Sequence, residues 1–461
     1  MNTLSSTEIA FLCGGVLEVD TDIGPVNRVS TDTRTCEPGA VFLALRGEHF
    51  DGHDFLEQAL EAGARLLIVQ EGMTVPAGGK KAVIRVGDTL KALQELARNF
   101  RKGLDFKAVG ITGSHGKTSC KEMVAAALRG SGPVVKTRGN LNNHIGVPLS
   151  LLELNSAARW GVFEVAMNHP GEIRPLAELV QPDIGVLTGI GWAHIEAFAS
   201  REEIAQEKSH LLRVLGPGDV AVFPGEDPFL KGAASWTSAR CLTVGTGASC
   251  DVQLYAIAGD DSGMVFSVST PNGAFEDVRI PLFGDHMVRN AGLAVAVAVA
   301  AEADLPQALE ALSGVELPQG RLNVIRFREG WLVDDTYNAN PDSMCAGMRS
   351  LQSLPGTGRS WALLGAMAEL GEHSESLHRW VGEQAVTLGM DGVLATGDFS
   401  KALVEGARSA GMDPERTRWF PDARALAQAY VEVGRPGDRI LVKGSRAAAM
   451  EEVVHYLMED Q

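Results

Sequence analysis

The chain has 461 residues, enough at about 150 residues per domain for about three domains, each able to bury a core of its own. With 45% hydrophobic and 21% charged residues, it has the composition of a soluble globular protein, which excludes a disordered or fibrous chain. The 41 basic and 58 acidic residues leave a net charge of −17. That balance excludes a sequence-independent grip on nucleic acid or an anionic membrane, while leaving room for a local cationic pocket.

Read in chain order, the opening MNTLSSTEIAFLCGG has no basic segment followed by a long apolar run, so no secretory leader is expected. Residues 1–86 mix short strand-like runs with a helical pattern over 55–64 and the apolar run Ala64-Arg-Leu-Leu-Ile-Val69, the pattern of a small α/β module. Asp88 then opens a helix with Leu90, Leu93, Leu96 and Phe100 on one face, read as a connector over 87–105.

From there to residue 316, apolar runs alternate with helical stretches. A strand is predicted at Lys107-Ala-Val-Gly-Ile111, a helix over 118–129, and strands at Val162-Phe-Glu-Val165 and Asp183-Ile-Gly-Val-Leu-Thr188. This rhythm implies parallel βαβ units. Two further runs, 265–269 and 275–282, flank Pro271-Asn-Gly273 and predict an antiparallel hairpin beside the main sheet. An alanine-rich helix follows over 287–301; its apolar stretch is far short of the ~20 residues of a membrane span, so no membrane insertion is expected.

A third series runs over 317–461, with strands at Trp331-Leu-Val-Asp-Asp335, Trp361-Ala-Leu-Leu364, Gly392-Val-Leu-Ala395 and Arg439-Ile-Leu-Val442, each followed by a helical pattern. The expected class is therefore α/β with three domains: a small N-terminal module (1–86), a central domain with a mainly parallel sheet (87–316) and a C-terminal Rossmann-like, doubly wound domain (317–461). The six cysteines have no CxxC spacing; reduced thiols and a cytoplasmic setting follow.

The most informative segment is Val109-Gly-Ile-Thr-Gly-Ser-His-Gly-Lys-Thr118. It follows a predicted strand and opens a predicted helix, the setting a phosphate loop requires. Gly113 and Gly116 allow successive N–H groups to face phosphate oxygens, Lys117 would reach the β and γ phosphates, and the Thr118 hydroxyl would ligate Mg²⁺. The ATP-binding stretch is thus Gly110, Ile111, Thr112, Gly113, Ser114, His115, Gly116, Lys117 and Thr118. A strict Walker A motif has its first glycine one position later, where Ile111 stands.

This Gly-x-Thr-Gly-x-x-Gly-Lys-Thr arrangement resembles the loop of the Mur ligase and folylpolyglutamate synthase superfamily. Further strings resemble one branch of the Mur ligases: Gly139-Asn-Leu-Asn-Asn-His-Ile-Gly-Val-Pro148, Glu164-Val-Ala-Met-Asn-His-Pro-Gly-Glu-Ile173, Asp334-Asp-Thr-Tyr-Asn-Ala-Asn-Pro-Asp-Ser-Met344, Leu364-Gly-Ala-Met-Ala-Glu-Leu-Gly-Glu372 and Val442-Lys-Gly-Ser-Arg446. That branch adds D-alanyl-D-alanine to a UDP-N-acetylmuramoyl-tripeptide through an acyl phosphate, with ATP cleaved to ADP and phosphate, in peptidoglycan precursor synthesis.

The resemblance implies a role for each matching residue. Glu164 and His194 would join Thr118 around two Mg²⁺ ions, although imidazole is an unusual partner for that hard cation. Lys208 would be carbamylated by CO₂, because an unmodified ammonium repels a metal. Lys117, Lys208, His194 and Glu164 would form the catalytic group. Asn290, in Gly284-Asp-His-Met-Val-Arg-Asn-Ala291, would contact adenine, with Met287 where the family has asparagine; the same segment also reads as a helix-cap region. Arg321 would contact phosphate and Asp335 would orient ATP. Asn142, Asn143, Asn168, His169, Asn338, Lys443 and Arg446 would meet substrate. Asn338 also reads as a turn residue before Pro341, and Lys443 and Arg446 as salt-bridge partners. Ser30, Thr31, Arg34 and Gly47 would contact uracil or diphosphate, and they also read as turn formers. Leu317-Pro-Gln-Gly320 is a candidate hinge, and a monomer is expected. The rivals are another amide ligase of the superfamily and a nucleotide-hydrolysing switch protein.

Overall fold

Runs such as Val41–Leu43, Leu66–Gln70 and Ala82–Val86 are apolar on both faces, so they can form strands only where both faces are covered. The computed structural model, which describes residues 1–47 and 49–459, places them inside the first sheet. Its spatial order is Val16–Asp20, Ala82–Val86, Leu66–Gln70, Val41–Leu43, Val29–Ser30. Val16–Asp20 pairs antiparallel and the rest parallel. Phe42, Leu56, Leu67, Val69 and Val83 form the core beneath it. The predicted connector is the helix Thr89–Lys102, capped by Asp88 through the Lys91 N–H at 2.9 Å, with Leu93, Leu96 and Phe100 buried.

The described chain divides into two compact units: Met1–Gly110 with Ser131–Ala166 and Glu172–Asp183, and Ile111–Gly130 with Met167–Gly171 and Ile184–Gln461. The strand Lys107–Thr112 contributes four residues to the first unit and two to the second. Within the first, Trp160–Glu164 and then Val134–Lys136 lie to one side of it, paired parallel.

In the second unit the strands Ile184–Leu187, Val220–Pro224, Arg240–Gly245 and Val252–Asp260 follow one another, each pair parallel. The sheet ends in the antiparallel strands Gly263–Thr270 and Gly273–Ile280, the expected hairpin. The sequence reading missed Val252–Asp260, whose second half is largely exposed and carries no apolar alternation. The helix Lys117–Leu128 is buried almost all round; the alanines and valines of Asp285–Ala300 let that helix pack close against it.

The third sheet has the order Asn323–Phe327, Gly330–Asp335, Arg439–Lys443, Ser360–Gly365, Gly392–Thr396, Thr417–Phe420. All neighbours are parallel except the first pair. Trp361, Tyr430, Leu332, Leu363 and Val442 fill one of its faces. The two outer strands escaped the sequence reading because each is short and interrupted by arginine. Register aligns Asp335 with Lys443 and Gly365 with Thr396, so the carboxyl ends of four parallel strands open at one edge. In such folds ligands bind there. Among the described residues no helix is long and apolar enough to cross a membrane.

Candidate active site

The turn between the strand Lys107–Thr112 and the helix Lys117–Leu128 depends on two glycines. Gly113 has φ 154°, and a Cβ there would collide with the Thr188 hydroxyl. Gly116, at φ 75°, is the N-cap of the helix, and a Cβ there would lie 3.0 Å from Asn290 Oδ1. No side chain caps this helix. The positive end of its dipole is directed at the loop, where an anion is favoured.

The loop is pinned from behind. Ser114 N–H donates to Gly189 O at 2.9 Å, and Thr188 N–H donates to Thr112 O at 2.9 Å. Ser114 Oγ donates to Gly191 O at 3.3 Å, and the Thr188 hydroxyl donates to His115 O. Lys117 Nζ donates to Gly113 O at 2.8 Å, which holds the cation at the mouth of the loop.

Around the loop, burial dominates the titrations. It lowers His115, with Asp342 opposing and Lys117 assisting. His286 is pushed down to about 3 by burial and by the neighbouring His115, Lys443, Arg289 and Arg349. A histidine kept neutral in the native state but protonated when unfolded below its ordinary value of 6.5 penalises the fold in acid. Its contribution is complete above that pH and declines by about 1.4 kcal/mol per unit as pH falls, until the native group itself titrates. Urea unfolding between pH 8 and 5 should show this decline, and His286→Gln should make it shallower, with His115 supplying a remaining slope of the same sign. The helix that carries His286 and Asn290 is capped by the backbone of Gly284 with no side-chain bond, so neither residue serves as its cap.

Lys208 lies on the helix Arg201–Arg213 with 0% exposure, and its Nζ has no hydrogen-bond partner among the described residues. Burial, with Lys117 as the next contributor and Glu207 opposing, holds its pKa well below the ordinary lysine value. Desolvation of the ammonium thus favours the uncharged amine, the nucleophilic form. His194, at the left-handed φ of 63°, has its Nδ1 2.6 Å from Glu369 Oε2. That imidazole is the first cause lowering the Glu369 carboxyl; Lys117 and His169 act in the same direction.

At the edge of the third sheet, Lys443 Nζ donates to Asp335 Oδ2 at 2.6 Å and to Asn338 O at 2.9 Å. Leu322 N–H donates to Asp335 Oδ1 at 3.2 Å. Burial raises Asp335 and lowers Lys443, each shift opposed by the other's charge. Arg321 stacks over Tyr337 at 3.9 Å, beside Gly320, which has a left-handed φ of 72°. Asn340 caps the helix Pro341–Ser353 through Ser343 N–H at 2.9 Å, and also donates through Nδ2 to Ser114 O at 3.3 Å. Arg446 is 72% exposed and pairs with Glu451 at 2.9 Å, the salt-bridge alternative. Asn168 and His169 are exposed in the same unit.

Glu164, Asn142, Asn143, Gly110, Ser30, Thr31, Arg34 and Gly47 belong to the first unit. Glu164 ends its strand 2% exposed; Asn142 Nδ2 donates to its Oε1 at 2.8 Å, and its own N–H donates to Thr137 Oγ1 at 3.0 Å. Asn143 Oδ1 accepts from Gly146 N–H at 2.9 Å. Arg34 pairs with Asp32 at 2.6 Å, Ser30 Oγ donates to Asp32 O at 2.8 Å, and Gly47 N–H donates to Phe50 O at 2.8 Å. Thr31 is half-buried.

Three residues that the sequence reading did not single out shape the second unit. Asp227 Oδ2 accepts from Ile190 N–H at 2.9 Å, Asp342 Oδ2 accepts from Trp192 N–H at 2.7 Å, and Glu369 meets His194. Asp342 and Glu369 stand inside strings already noted, but only the fold shows what they face. Among the described residues no three His, Cys, Asp or Glu side chains converge as a metal-ligand set. A hard cation here would draw most of its oxygens from phosphates and water, which is how Mg²⁺ is commonly held.

Models of the Mur ligase family match three stretches: the family's catalytic domain at residues 25–101, its middle domain at 111–298 and its glutamate ligase domain at 320–446. The chain is 36% identical to the UDP-N-acetylmuramoyl-tripeptide--D-alanyl-D-alanine ligase of Bacillus subtilis, covering 94% of this chain and 93% of that one. It is also 36% identical to the Escherichia coli ligase of the same name, over 94% of each. Among solved structures, MurF from Acinetobacter baumannii superposes with a TM-score of 0.89 at 32% identity, covering 100% of this chain and 99% of that one. MurF ligase from Thermotoga maritima in complex with ADP gives 0.81 at 27% identity, covering 94% and 98%.

Proposed function

The chain belongs to the Mur ligase family, and from that membership we propose that it joins D-alanyl-D-alanine to the tripeptide carboxylate of UDP-N-acetylmuramoyl-tripeptide, with cleavage of ATP to ADP and phosphate. One observation favours this over a nucleotide switch: a fully buried Lys208 amine with no hydrogen-bond partner among the described residues, in the electrostatic field of the phosphate-loop lysine. Nucleotide hydrolysis alone gives no reason to bear the cost of such a group.

A carboxylate is a poor electrophile. In the proposed reaction its oxygen attacks the γ-phosphorus, the bond to the β-phosphate oxygen breaks, and ADP leaves an acyl phosphate behind. The dipeptide amine then attacks the acyl carbon, and the tetrahedral adduct expels phosphate as the amine loses its proton. Lys117 and the N-terminal end of the helix Lys117–Leu128 neutralise the moving charge, the largest contribution a phosphoryl-transfer site makes. Asn290 takes the adenine, while Asp335, held by Lys443, and Arg321 position the nucleotide.

In its uncharged form, which burial favours, the Lys208 amine is suited to add CO₂, releasing one proton and becoming a carbamate anion. Magnesium, two ions in this reading, supplies further charge neutralisation when bound, and Thr118, Glu164 and His194 are the residues assigned to hold it. Asn142, Asn143, Asn168, His169, Asn338, Lys443 and Arg446 are assigned to the peptide substrates, and Ser30, Thr31, Arg34 and Gly47 to the uridine diphosphate. On this division residues 1–86 receive the UDP substrate, 87–316 bind ATP and 317–461 bring the amine.

Phosphate release from ATP should require the UDP-muramoyl-tripeptide and D-alanyl-D-alanine together, measured with each omitted in turn. Release at the same rate without the dipeptide would contradict the ligase reading.

A further inference from the structure

The closest ionisable contact to His194 comes from a residue with no role so far. Glu369 lies in the loop after the strand Ser360–Gly365, and that loop is fixed at several points. Ser445 N–H donates to Ala366 O at 3.0 Å, and Met367 N–H donates to Nε2 of the buried His378 at 3.0 Å. Glu196 N–H donates to Glu369 O at 3.3 Å. Glu369 itself sits at a left-handed φ of 61°, a backbone state glutamate rarely adopts, and His194 at 63° does the same. Two non-glycine residues in this costly region, side chain against side chain, mark a contact that the surrounding packing enforces.

The contact has a chemical consequence. Glu369 Oε2 is 2.6 Å from His194 Nδ1, and the His194 side chain is only 15% exposed. Two unshared pairs at that distance repel, whereas a proton on Nδ1 makes the contact attractive. The carboxylate therefore selects the tautomer protonated at Nδ1 and leaves the unshared pair on Nε2, the arrangement in which a carboxylate orients a ligating imidazole. The contact is close without being aligned as a hydrogen bond, as is common in active sites before ligand tightens them.

We propose that Glu369 is a positioning residue for the transfer step: delivered by the third sheet, it fixes the tautomer and orientation of His194. His378, bracing Met367, supports the loop that presents it. His194 is then ready to engage a cation or a phosphoryl oxygen only while the loop over 365–373 is seated on residues 191–197. Nucleotide chemistry is thereby made dependent on the third sheet's presence. The consequence rests on the ligase reading, but the test does not.

Selective ¹⁵N labelling of histidine, with His194 assigned by the signal missing in His194→Gln, reports the tautomer directly. The native protein should show Nδ1 protonated. Glu369→Ala should move the proton to Nε2 and weaken Mn²⁺ binding in the presence of ADP by about tenfold or more, the usual effect of losing such a partner. Glu369→Gln, which keeps an acceptor oxygen, should retain the native tautomer. If the alanine variant is unstable, Glu369→Met fills the same space without an acceptor and carries the same comparison. A native Nε2–H tautomer, or an unchanged tautomer and Mn²⁺ affinity in a folded Glu369→Ala or Glu369→Met, would overturn the proposal while leaving the phosphate-release assay free to stand or fall on its own.

Discussion

Replacing Lys117 with alanine should lower kcat by about a thousandfold or more, because a cation fixed at the phosphates is worth roughly 10³–10⁵ in phosphoryl transfer. In the native chain its Nζ is tethered 2.8 Å from Gly113 O, so it needs only a short shift to exchange that carbonyl for a phosphate oxygen. The same substitution removes a positive charge that depresses Lys208 and Glu369. Both groups should relax toward their ordinary values, so the loss should not be recovered by raising ATP. Saturating steady-state kinetics check this; a variant that regains native kcat at high ATP would show that Lys117 serves binding alone.

Removing the amine at position 208 should be nearly as severe. Lys208→Ala eliminates the only route to a carbamate at that place and should cost about 10²–10³ in kcat, the usual effect of deleting one preorganised electrostatic group. Acetate or formate, entering the space vacated by the side chain, should restore activity several-fold because each brings a carboxylate without a tether. Lys208→Arg should be inactive and not rescued, since a guanidinium stays charged and cannot take up CO₂. Unchanged activity in Lys208→Ala would remove carbamylation from the mechanism.

Periodicity read sheet centres where parallel strands covered on both faces carry long apolar runs, as Leu66–Gln70 and Ser360–Gly365 do, but it passed over the interior strands Val220–Pro224 and Arg240–Gly245. It failed at the margins, where Val252–Asp260 and Thr417–Phe420 are short of apolar residues and owe their conformation to a neighbouring strand. The phosphate loop was legible for a stronger reason: its glycines are demanded by φ and by the approach of Thr188 and Asn290, so chemistry and backbone geometry select the same residues. Lys208 is the opposite case. Its surrounding sequence, Gln-Glu-Lys-Ser, resembles any solvated helix, and its complete burial comes from the rest of the unit. Asp342, Glu369 and Asp227 act on backbone and side chains far away in sequence, through contacts that no local pattern encodes.

The third sheet imposes an order on synthesis. Arg439–Lys443 is translated after every strand beside which it lies, yet it occupies a central place between Gly330–Asp335 and Ser360–Gly365. A nascent chain halted before residue 439 leaves the edges of both neighbours bare, the kind of exposed template that invites pairing between chains. It also leaves Asp335 buried-to-be without its cation, because Lys443 arrives on the inserted strand. The ribosome must therefore nearly complete this region before the nucleotide-positioning pair can exist, and truncated products should be recognised by their aggregation before any loss of catalysis is measured.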